Sequence, residues 1–164
     1  MVGVSLMLGI EAAPVSAMVQ GAGAALRMEA AMILGELRRS PPLREVLSRY
    51  LYVTLTQLAQ AAACTRFHLV EARLARWLLT TRDRAHADEF YITHEFLSHM
   101  LGVRRAGITR AAVALRKRNL IDYSRGLLTV IDGKGLERAA CSCYATLNSN
   151  YTRVLGKLAT PAAC

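Results

Sequence analysis

The basic side chains between residues 104 and 118 are the part of the sequence best suited to bind a ligand. They are Arg104, Arg105, Arg110, Arg116, Lys117 and Arg118, and no acidic residue lies among them. A guanidinium group can donate two hydrogen bonds to O6 and N7 of guanine, and any basic group can bind a phosphate. The segment therefore predicts contact with DNA. A basic face that only meets solvent is the alternative interpretation of the charges taken alone.

Apolar residues around these charges predict two short helices that meet at Gly102. Glycine adopts a positive φ at the least cost, which suits a tight turn between helices. Thr93 has the hydroxyl needed to cap the first helix. The residues that would bury the two helices against each other are Leu97, Leu101, Val103, Ile108, Ala111 and Leu115. The pattern over residues 93–118 indicates a helix-turn-helix motif.

Turning the second helix by about 100° per residue separates a buried side from an outer side. Ile108 and Leu115 fall on the buried side, whereas Arg110 and Lys117 fall on the outer side. The predicted DNA-binding residues are Thr93, His94, Arg104, Arg105, Ala106, Thr109, Arg110, Lys117 and Arg125. For His94 two interpretations stay open, a hydrogen bond to a phosphate and a surface histidine without a special task.

A β-hairpin is predicted directly after the motif. Two β-prone runs within residues 120–131 flank the dipeptide Arg125-Gly126, which is a turn signal. A hairpin in this position can act as a wing, with Arg125 at its tip able to reach a phosphate. An ordinary hairpin that closes the domain is a compatible alternative.

A long helix is predicted over residues 41–66, upstream of the motif. It follows Ser40-Pro41-Pro42, in which serine can cap a helix and proline is tolerated in the first turn. Small and apolar residues then recur at alternating spacings of four and three, at Leu47, Leu51, Thr54, Leu58 and Ala61. This heptad seam predicts a dimerisation helix. The alternative is a helix that packs against its own domain.

Between that helix and the motif, a shorter amphipathic helix is predicted over residues 69–81, with Arg73 and Arg76 on its outer side. The interruption over residues 64–68 is predicted to be a hinge. Residues 83–89 are predicted as a polar loop and residues 90–92 as a short β-prone segment.

The first forty residues carry a weaker pattern. Apolar runs at residues 2–8, 15–20 and 24–28 are separated by glycine and proline, and they predict three strands followed by a helix over residues 29–39. Three strands form only a partial sheet with an exposed edge, so this part is predicted to be a remnant of a larger β domain.

Charge and hydropathy indicate a partner and a compartment. Residues 64–164 hold 16 basic and 8 acidic side chains, against 5 and 4 in residues 1–63. The excess positive charge is therefore concentrated where a polyanion would bind. The first residues lack a basic segment, and their apolar run is too short to cross a bilayer, so we expect a cytoplasmic protein without membrane contact.

The sequence offers no catalytic or metal-binding constellation. It contains no nucleophile motif and no glycine-rich phosphate loop, so we do not expect an enzyme. Cys141 and Cys143 are predicted to lie on nearly opposite sides of one last helix capped by Asp132, where they could not share an ion. Inert buried cysteines are therefore favoured over a redox or metal role, and no cofactor or metal is expected.

The segments VEARLARWLLTTRD and THEFLSHMLGVRRAGITRAAVALRKRNLI, followed by the hairpin, resemble the cyclic AMP receptor protein/fumarate-nitrate regulator (Crp/Fnr) superfamily of bacterial transcription factors. The resemblance implies double-stranded DNA, a second copy of the chain and RNA polymerase as partners. It also implies a homodimer that places two recognition helices in successive major grooves of a near-palindromic site. In such a dimer the half-sites lie about 34 Å apart.

Several positions depart from the pattern of this superfamily. Arg105 and Arg110 match its base-contacting arginines, but Ala106 replaces the glutamate commonly found between them, and Gly107 follows. Val4 and Val15 stand where relatives that bind cyclic nucleotides keep a glutamate and an arginine. Hydrophobic side chains cannot replace a charge-paired phosphate contact, so cyclic nucleotide binding is not expected.

The sequence thus predicts a mainly α (α+β) protein in three parts. Residues 1–40 would form a truncated, partial antiparallel β-roll, residues 41–66 the central dimerisation helix, and residues 67–164 a winged helix-turn-helix domain. The predicted function is sequence-specific transcriptional regulation as a homodimer. The alternative is a non-specific nucleic-acid-binding protein or a dominant-negative dimerisation partner of full-length relatives.

Overall fold

A computed structural model describes residues 1–13, 16–19 and 23–156. Within these ranges it contains one 3-10 helix, seven α-helices and three strands. The 3-10 helix is Val4–Leu8, and the other elements are α1 (Ala30–Arg39), α2 (Pro41–Phe67), α3 (Val70–Ala85), β1 (Glu89–Tyr91), α4 (His94–Leu101), α5 (Arg105–Lys117), β2 (Ile121–Ser124), β3 (Leu127–Val130), α6 (Gly133–Ala139) and α7 (Cys143–Leu155). The predicted mainly α (α+β) fold is confirmed.

The chain divides into two compact units. The first unit comprises Met1–Thr56 and Asn150–Cys164, and the second comprises Gln57–Ser149. Both boundaries fall inside helices, α2 and α7. The predicted three-part division at residues 40/41 and 66/67 stays a prediction.

The strands predicted in the first unit are wrong wherever the structure describes them. Val4–Leu8 forms a 3-10 helix between Gly3 and Gly9, which both have positive φ. Residues 16–19 and 24–28 have no regular structure, and Val15 and Gln20 lie outside the described residues. A strand needs a neighbour to pair its backbone groups. Here the Leu6 and Gly9 amides instead donate locally, to the Gly3 and Leu6 carbonyls at 3.2 and 3.1 Å.

The predicted long helix is confirmed as α2. It ends at Phe67, and His68 and Leu69 separate it from α3. The break therefore lies at the end of the stretch predicted to be a hinge. α3 continues to Ala85, beyond the predicted end at residue 81, so the polar loop before β1 is shorter than expected. None of the helices in the described ranges combines the length and the apolar character needed to cross a membrane.

The core of the second unit is built around α3. Its fully buried Leu74 and Leu78 belong to one cluster with Leu97 of α4 and with Ile108 and Leu115 of α5. The three strands form an antiparallel sheet in the order β1-β3-β2. Leu128, at the centre of β3, is fully buried in the same cluster. These contacts fix the positions of α4, α5 and the hairpin.

Arg73 of α3 is buried, although the sequence pattern placed it on the outer side. Its guanidinium donates a hydrogen bond to the backbone carbonyl of Leu101, the last residue of α4. The last carbonyls of a helix have no intrahelical partner and carry partial negative charge, so a cation is favoured there. Arg73 thus caps the first helix of the motif from a neighbouring helix.

The predicted last helix is two helices. Asp132 caps α6 as expected, since its Oδ1 accepts from the amide of Gly135 at 2.8 Å. The helix then ends, and α7 begins only at Cys143. The argument that placed Cys141 and Cys143 on opposite sides of a continuous helix is therefore wrong, and both side chains are buried.

Candidate nucleic-acid interface

Thr93 begins the motif as the sequence predicts. Its backbone is extended, and its Oγ1 accepts a hydrogen bond from the amide of Phe96 at 3.1 Å. This contact satisfies one of the amides that a helix N-terminus leaves without a backbone partner. The Thr93 hydroxyl proton is not used in this bond and remains available to an acceptor.

The turn of the motif also forms as expected. Gly102 adopts the left-handed conformation, with φ 63° and ψ 42°. The next amide, that of Val103, donates to the carbonyl of Ser98 at 3.0 Å and so closes the end of α4. A residue other than glycine would be strained at this φ. α5 can therefore begin three residues after Gly102 in a fixed direction.

The predicted faces of α5 are confirmed. The side chains that reach the core are Ile108, Ala111, Ala112 and Leu115. The outer face exposes Ala106, Thr109, Arg110, Val113 and Lys117. Gly107 lies beside that face, and a Cβ added there would meet no atom within 4 Å. No internal contact of the described residues thus requires a glycine at this position.

The basic side chains near α5 fall into two groups. Arg116 pairs with Asp122 and Arg118 pairs with Glu71, each with an N···O distance of 2.9 Å. The second group is exposed and forms no ion pair with any described residue; we call it the free cations, Arg104, Arg105, Arg110, Lys117 and Arg125. Their charge is not neutralised within the described protein, so they are the groups best able to bind phosphates and bases.

His94 connects the two helices of the motif. Its Nδ1 lies 3.0 Å from Oγ1 of Thr109. The Thr109 hydroxyl in turn donates to the carbonyl of Arg105 at 3.1 Å, so its only proton is used and Nδ1 of His94 must be the donor. Burial, and to a lesser extent the charge of Arg105, lowers the pKa of His94 below its ordinary value. Both effects favour the neutral imidazole over its charged form.

The ring of His94 also contacts the hairpin. It stacks on Tyr123 of β2, with ring centroids 4.5 Å apart and planes at 19°. The Tyr123 hydroxyl donates to the carbonyl of Ile92 at 3.1 Å. His94 is thus half-buried between α4, α5 and β2. The contact of His94 with a phosphate stays a prediction.

The hairpin after α5 is confirmed, and its turn has only two residues. Ser124 pairs with Leu127 across the turn, and Arg125 and Gly126 have φ values of 50° and 88°. Positive φ at both central positions defines a type I′ turn, which matches the twist of a tight hairpin. The side chain of Arg125 is exposed at the tip.

Residues 72–139 match the family described as the Crp-like helix-turn-helix domain. This segment is similar to a Crp-like helix-turn-helix domain. It covers most of α3, both helices of the motif, the three strands and α6. The resemblance noticed in the sequence is therefore confirmed for this part of the chain.

Two solved structures resemble the chain over a wider range. One, from Eubacterium rectale, is described as a transcriptional regulator of the Crp/Fnr family. It is 25% identical in sequence, and the match covers 67% of this chain and 51% of that chain with a TM-score of 0.53. The other is the catabolite activator protein of Thermus thermophilus, 23% identical, with coverage of 72% and 54% and a TM-score of 0.41. The chain thus matches about half the length of each. No curated protein matches it significantly.

Outside the Crp-like domain, the predicted dimer residues all lie on α2. Leu47, Leu51 and Thr54 are half-buried in the single chain, as is Ala61. Leu58 is 63% exposed. The predicted interface therefore retains apolar surface that the described chain does not cover.

The structure also joins four residues that the sequence did not connect. Cys64 and His68 come from the end of α2, and Cys141 and Cys143 from the junction of α6 and α7. The spacings C-x3-H and C-x-C are the only sequence signals of this cluster. They were not sufficient, because the helix break that brings the two pairs together is not evident from the sequence.

Proposed function

We propose that the chain regulates transcription by binding duplex DNA in a sequence-specific way through its Crp-like domain. The observation that carries this proposal is the group of free cations. They project from α5 and from the hairpin tip without any acidic partner among the described residues. α5 acts as the recognition helix in the major groove, and the hairpin acts as the wing.

The free cations divide by position. Arg105 and Arg110, in the first half of α5, contact the edges of bases. Arg104, Lys117 and Arg125 bind phosphates and set the register of the protein on the duplex. Ala106 and Thr109 offer methyl groups to thymine, and neither offers an acceptor to cytosine. The half-site therefore differs from one selected by a glutamate at position 106.

The protein binds as a homodimer through α2. The helix exposes large apolar side chains, with Tyr52, Leu55 and Leu58 at 49, 57 and 63%. Apolar surface of this kind is stabilised when it is removed from water, and the α2 of a second copy offers a matching heptad pattern. A two-fold dimer would read a near-palindromic site, with half-sites separated by about one helical turn.

A selection from random duplexes, followed by footprinting of the enriched sequence, tests the function. We expect enrichment of an inverted repeat and protection of two half-sites. Sedimentation of the wild-type chain and of Leu58→Glu tests the dimer separately, because the glutamate should shift the protein toward the monomer. No enrichment of any sequence would contradict specific recognition, and identical sedimentation of both proteins as monomers would contradict the dimer.

A second candidate function is non-specific nucleic-acid binding, or pairing with full-length relatives without independent recognition of a site. It is favoured by Ala106 and Gly107, which offer no hydrogen-bonding side chains at the start of α5. Binding without sequence preference, with retained salt dependence, is the result that this candidate predicts.

A further inference from the structure

Four potential metal ligands converge at the end of α2. The ligand atoms of Cys64, His68, Cys141 and Cys143 all lie within 4.8 Å of one another. The Sγ atoms of Cys64 and Cys141 are 3.6 Å apart, and Nδ1 of His68 is 3.4 Å from Sγ of Cys143. We call these residues the Cys3His cluster. All four belong to the second unit.

We propose that the Cys3His cluster binds one Zn²⁺ ion as a structural site. With Zn–S bonds of about 2.3 Å and Zn–N bonds of about 2.0 Å, ligand atoms at the corners of a tetrahedron lie about 3.5 to 3.8 Å apart. The separations of 3.6 Å between Cys64 and Cys141 and 3.4 Å between His68 and Cys143 already fall near this range. Thiolate and imidazole ligands together suit Zn²⁺, and three cysteines with one histidine form a known type of closed structural site.

Local structure explains how the two pairs of ligands meet. Cys64 lies in the last turn of α2, and His68 directly follows the helix; the amide of His68 still donates to the carbonyl of Cys64 at 3.1 Å, so the two residues stay on the same side of the chain. The Cys141 amide donates to the carbonyl of Ala72 in α3 at 3.3 Å. That bond anchors the segment between α6 and α7 beside the end of α2.

Burial and hydrogen bonding also fit a bound ion. Cys64 and Cys143 are each 1% exposed, so a metal held between them would be shielded from solvent. Nε2 of Gln60 donates to Sγ of Cys143 at 3.0 Å. An amide donor of this kind stabilises a ligating thiolate and orients it. With four protein ligands the site has no open position for a substrate.

Two simpler explanations account for less of this arrangement. A disulfide between Cys64 and Cys141 would use two of the four side chains and leave His68 and Cys143 without a role. Separate buried thiols would explain the apolar surroundings but not the imidazole that points to Cys143. A zinc ion uses all four ligands. It would also cross-link the end of α2 to the start of α7, across the break at His68 and Leu69.

Metal titration of the reduced 164-residue chain tests the proposal. The protein is stripped of metal, titrated with Co²⁺, and then titrated with Zn²⁺. We expect one Co²⁺ per chain, the visible absorption of tetrahedral thiolate-bound cobalt, and its displacement by Zn²⁺. His68→Gln, which changes a half-buried side chain, should weaken Co²⁺ binding at least tenfold, and Cys143→Ser should abolish it. Cys164→Ser and His86→Ala are the matched controls and should bind as the wild type does.

Alkylation of the wild-type cysteines tests the proposal without variants, and it remains informative if the cysteine variants do not fold. Zn²⁺ should slow alkylation of Cys64, Cys141 and Cys143, located by mass spectrometry, and give no protection to Cys164. Absence of stoichiometric Co²⁺ binding by the reduced chain would overturn the proposal. Equal loss of binding in Cys164→Ser and Cys143→Ser would overturn it as well. So would a Cys64–Cys141 disulfide in a protein that takes up no metal after reduction.

Discussion

The guanidinium of Arg73 donates a hydrogen bond to the backbone carbonyl of Leu101. Arg73 lies on α3 and Leu101 ends α4, so a buried charge on the core helix holds the first helix of the motif at its C-terminus. This bond satisfies a carbonyl at the point where the chain turns toward α5. Its removal tests how far the position of the motif depends on α3.

Arg73→Met should destabilise the fold, because it leaves the buried carbonyl of Leu101 without its donor. Hydrogen bonds to charged groups contribute about 1.5 to 3 kcal/mol, and we expect a loss of that size in the free energy of unfolding. Urea unfolding measures it. Arg84→Met, an exposed site on the same helix, is the control and should change stability little. Equal stability of the two variants would show that the Arg73 bond contributes nothing.

Arg110→Ala should reduce the preference for the selected site. A bidentate contact to a base contributes about 1 to 3 kcal/mol of discrimination, so specific affinity should fall by roughly 5- to 150-fold while binding to random duplex changes less. Competition binding measures both. Arg118→Ala removes an arginine that pairs with Glu71 instead of projecting freely, and it should keep the site preference. If Arg118→Ala lost the site preference and Arg110→Ala kept it, Arg118 and not Arg110 would be the base-contacting residue.

Arg125→Asn should weaken binding to every sequence by a similar factor. Asparagine tolerates the positive φ of this position, so the substitution removes the charge while keeping the turn. A lost phosphate contact lowers the slope of log affinity against log salt by about 1. Titrations at several salt concentrations give this slope. Arg84→Gln is the control: it removes a charge far from the hairpin in sequence and should leave the slope unchanged. An unchanged slope in Arg125→Asn would contradict the proposal that Arg125 binds a phosphate.

His94 should make stability depend on pH. Burial, followed by the charge of Arg105, lowers its pKa in the folded protein, whereas the unfolded chain keeps a value of about 6.5. The folded protein therefore resists a proton that the unfolded chain accepts. Full stability is present above about pH 6.5 and is lost as the pH falls through the lowered pKa.

Urea unfolding at about pH 7.5 and about pH 5.5 measures this effect. The difference between the unfolding free energies at the two pH values should be smaller for His94→Gln than for the wild type, because glutamine does not titrate. His99→Gln, at an exposed histidine of the same helix, should keep the wild-type difference. If His94→Gln and the wild type lose equal stability on acidification, other groups cause the pH dependence.

Features that depend on a few neighbouring residues were predictable from the sequence. The cap at Thr93, the positive φ of Gly102 and the cap at Asp132 all follow from local hydrogen bonding and local sterics. The faces of α5 were predictable for a related reason, since a helix of 13 residues repeats its pattern often enough to show a buried side.

Features that depend on distant residues were not predictable in this way. Within the apolar run at residues 2–8, Val4–Leu8 forms a 3-10 helix instead of a strand, because strand formation depends on a partner that the sequence pattern does not specify. Arg73 is buried because a carbonyl 28 residues away needs a donor. Cys64 and Cys141 meet across 77 residues of chain. In each case tertiary structure, not the local pattern, decides the outcome.

The two-residue turn at the hairpin tip would affect the thermodynamics of the proposed DNA binding. A long wing loop would lose backbone freedom when it settled against a duplex, and that loss would oppose association. Arg125 stands on a type I′ turn whose two central residues are already confined between paired strands, so only its side-chain rotamers remain to be ordered. Ordering Arg125 against a duplex would therefore cost less conformational entropy than ordering an arginine on a long loop.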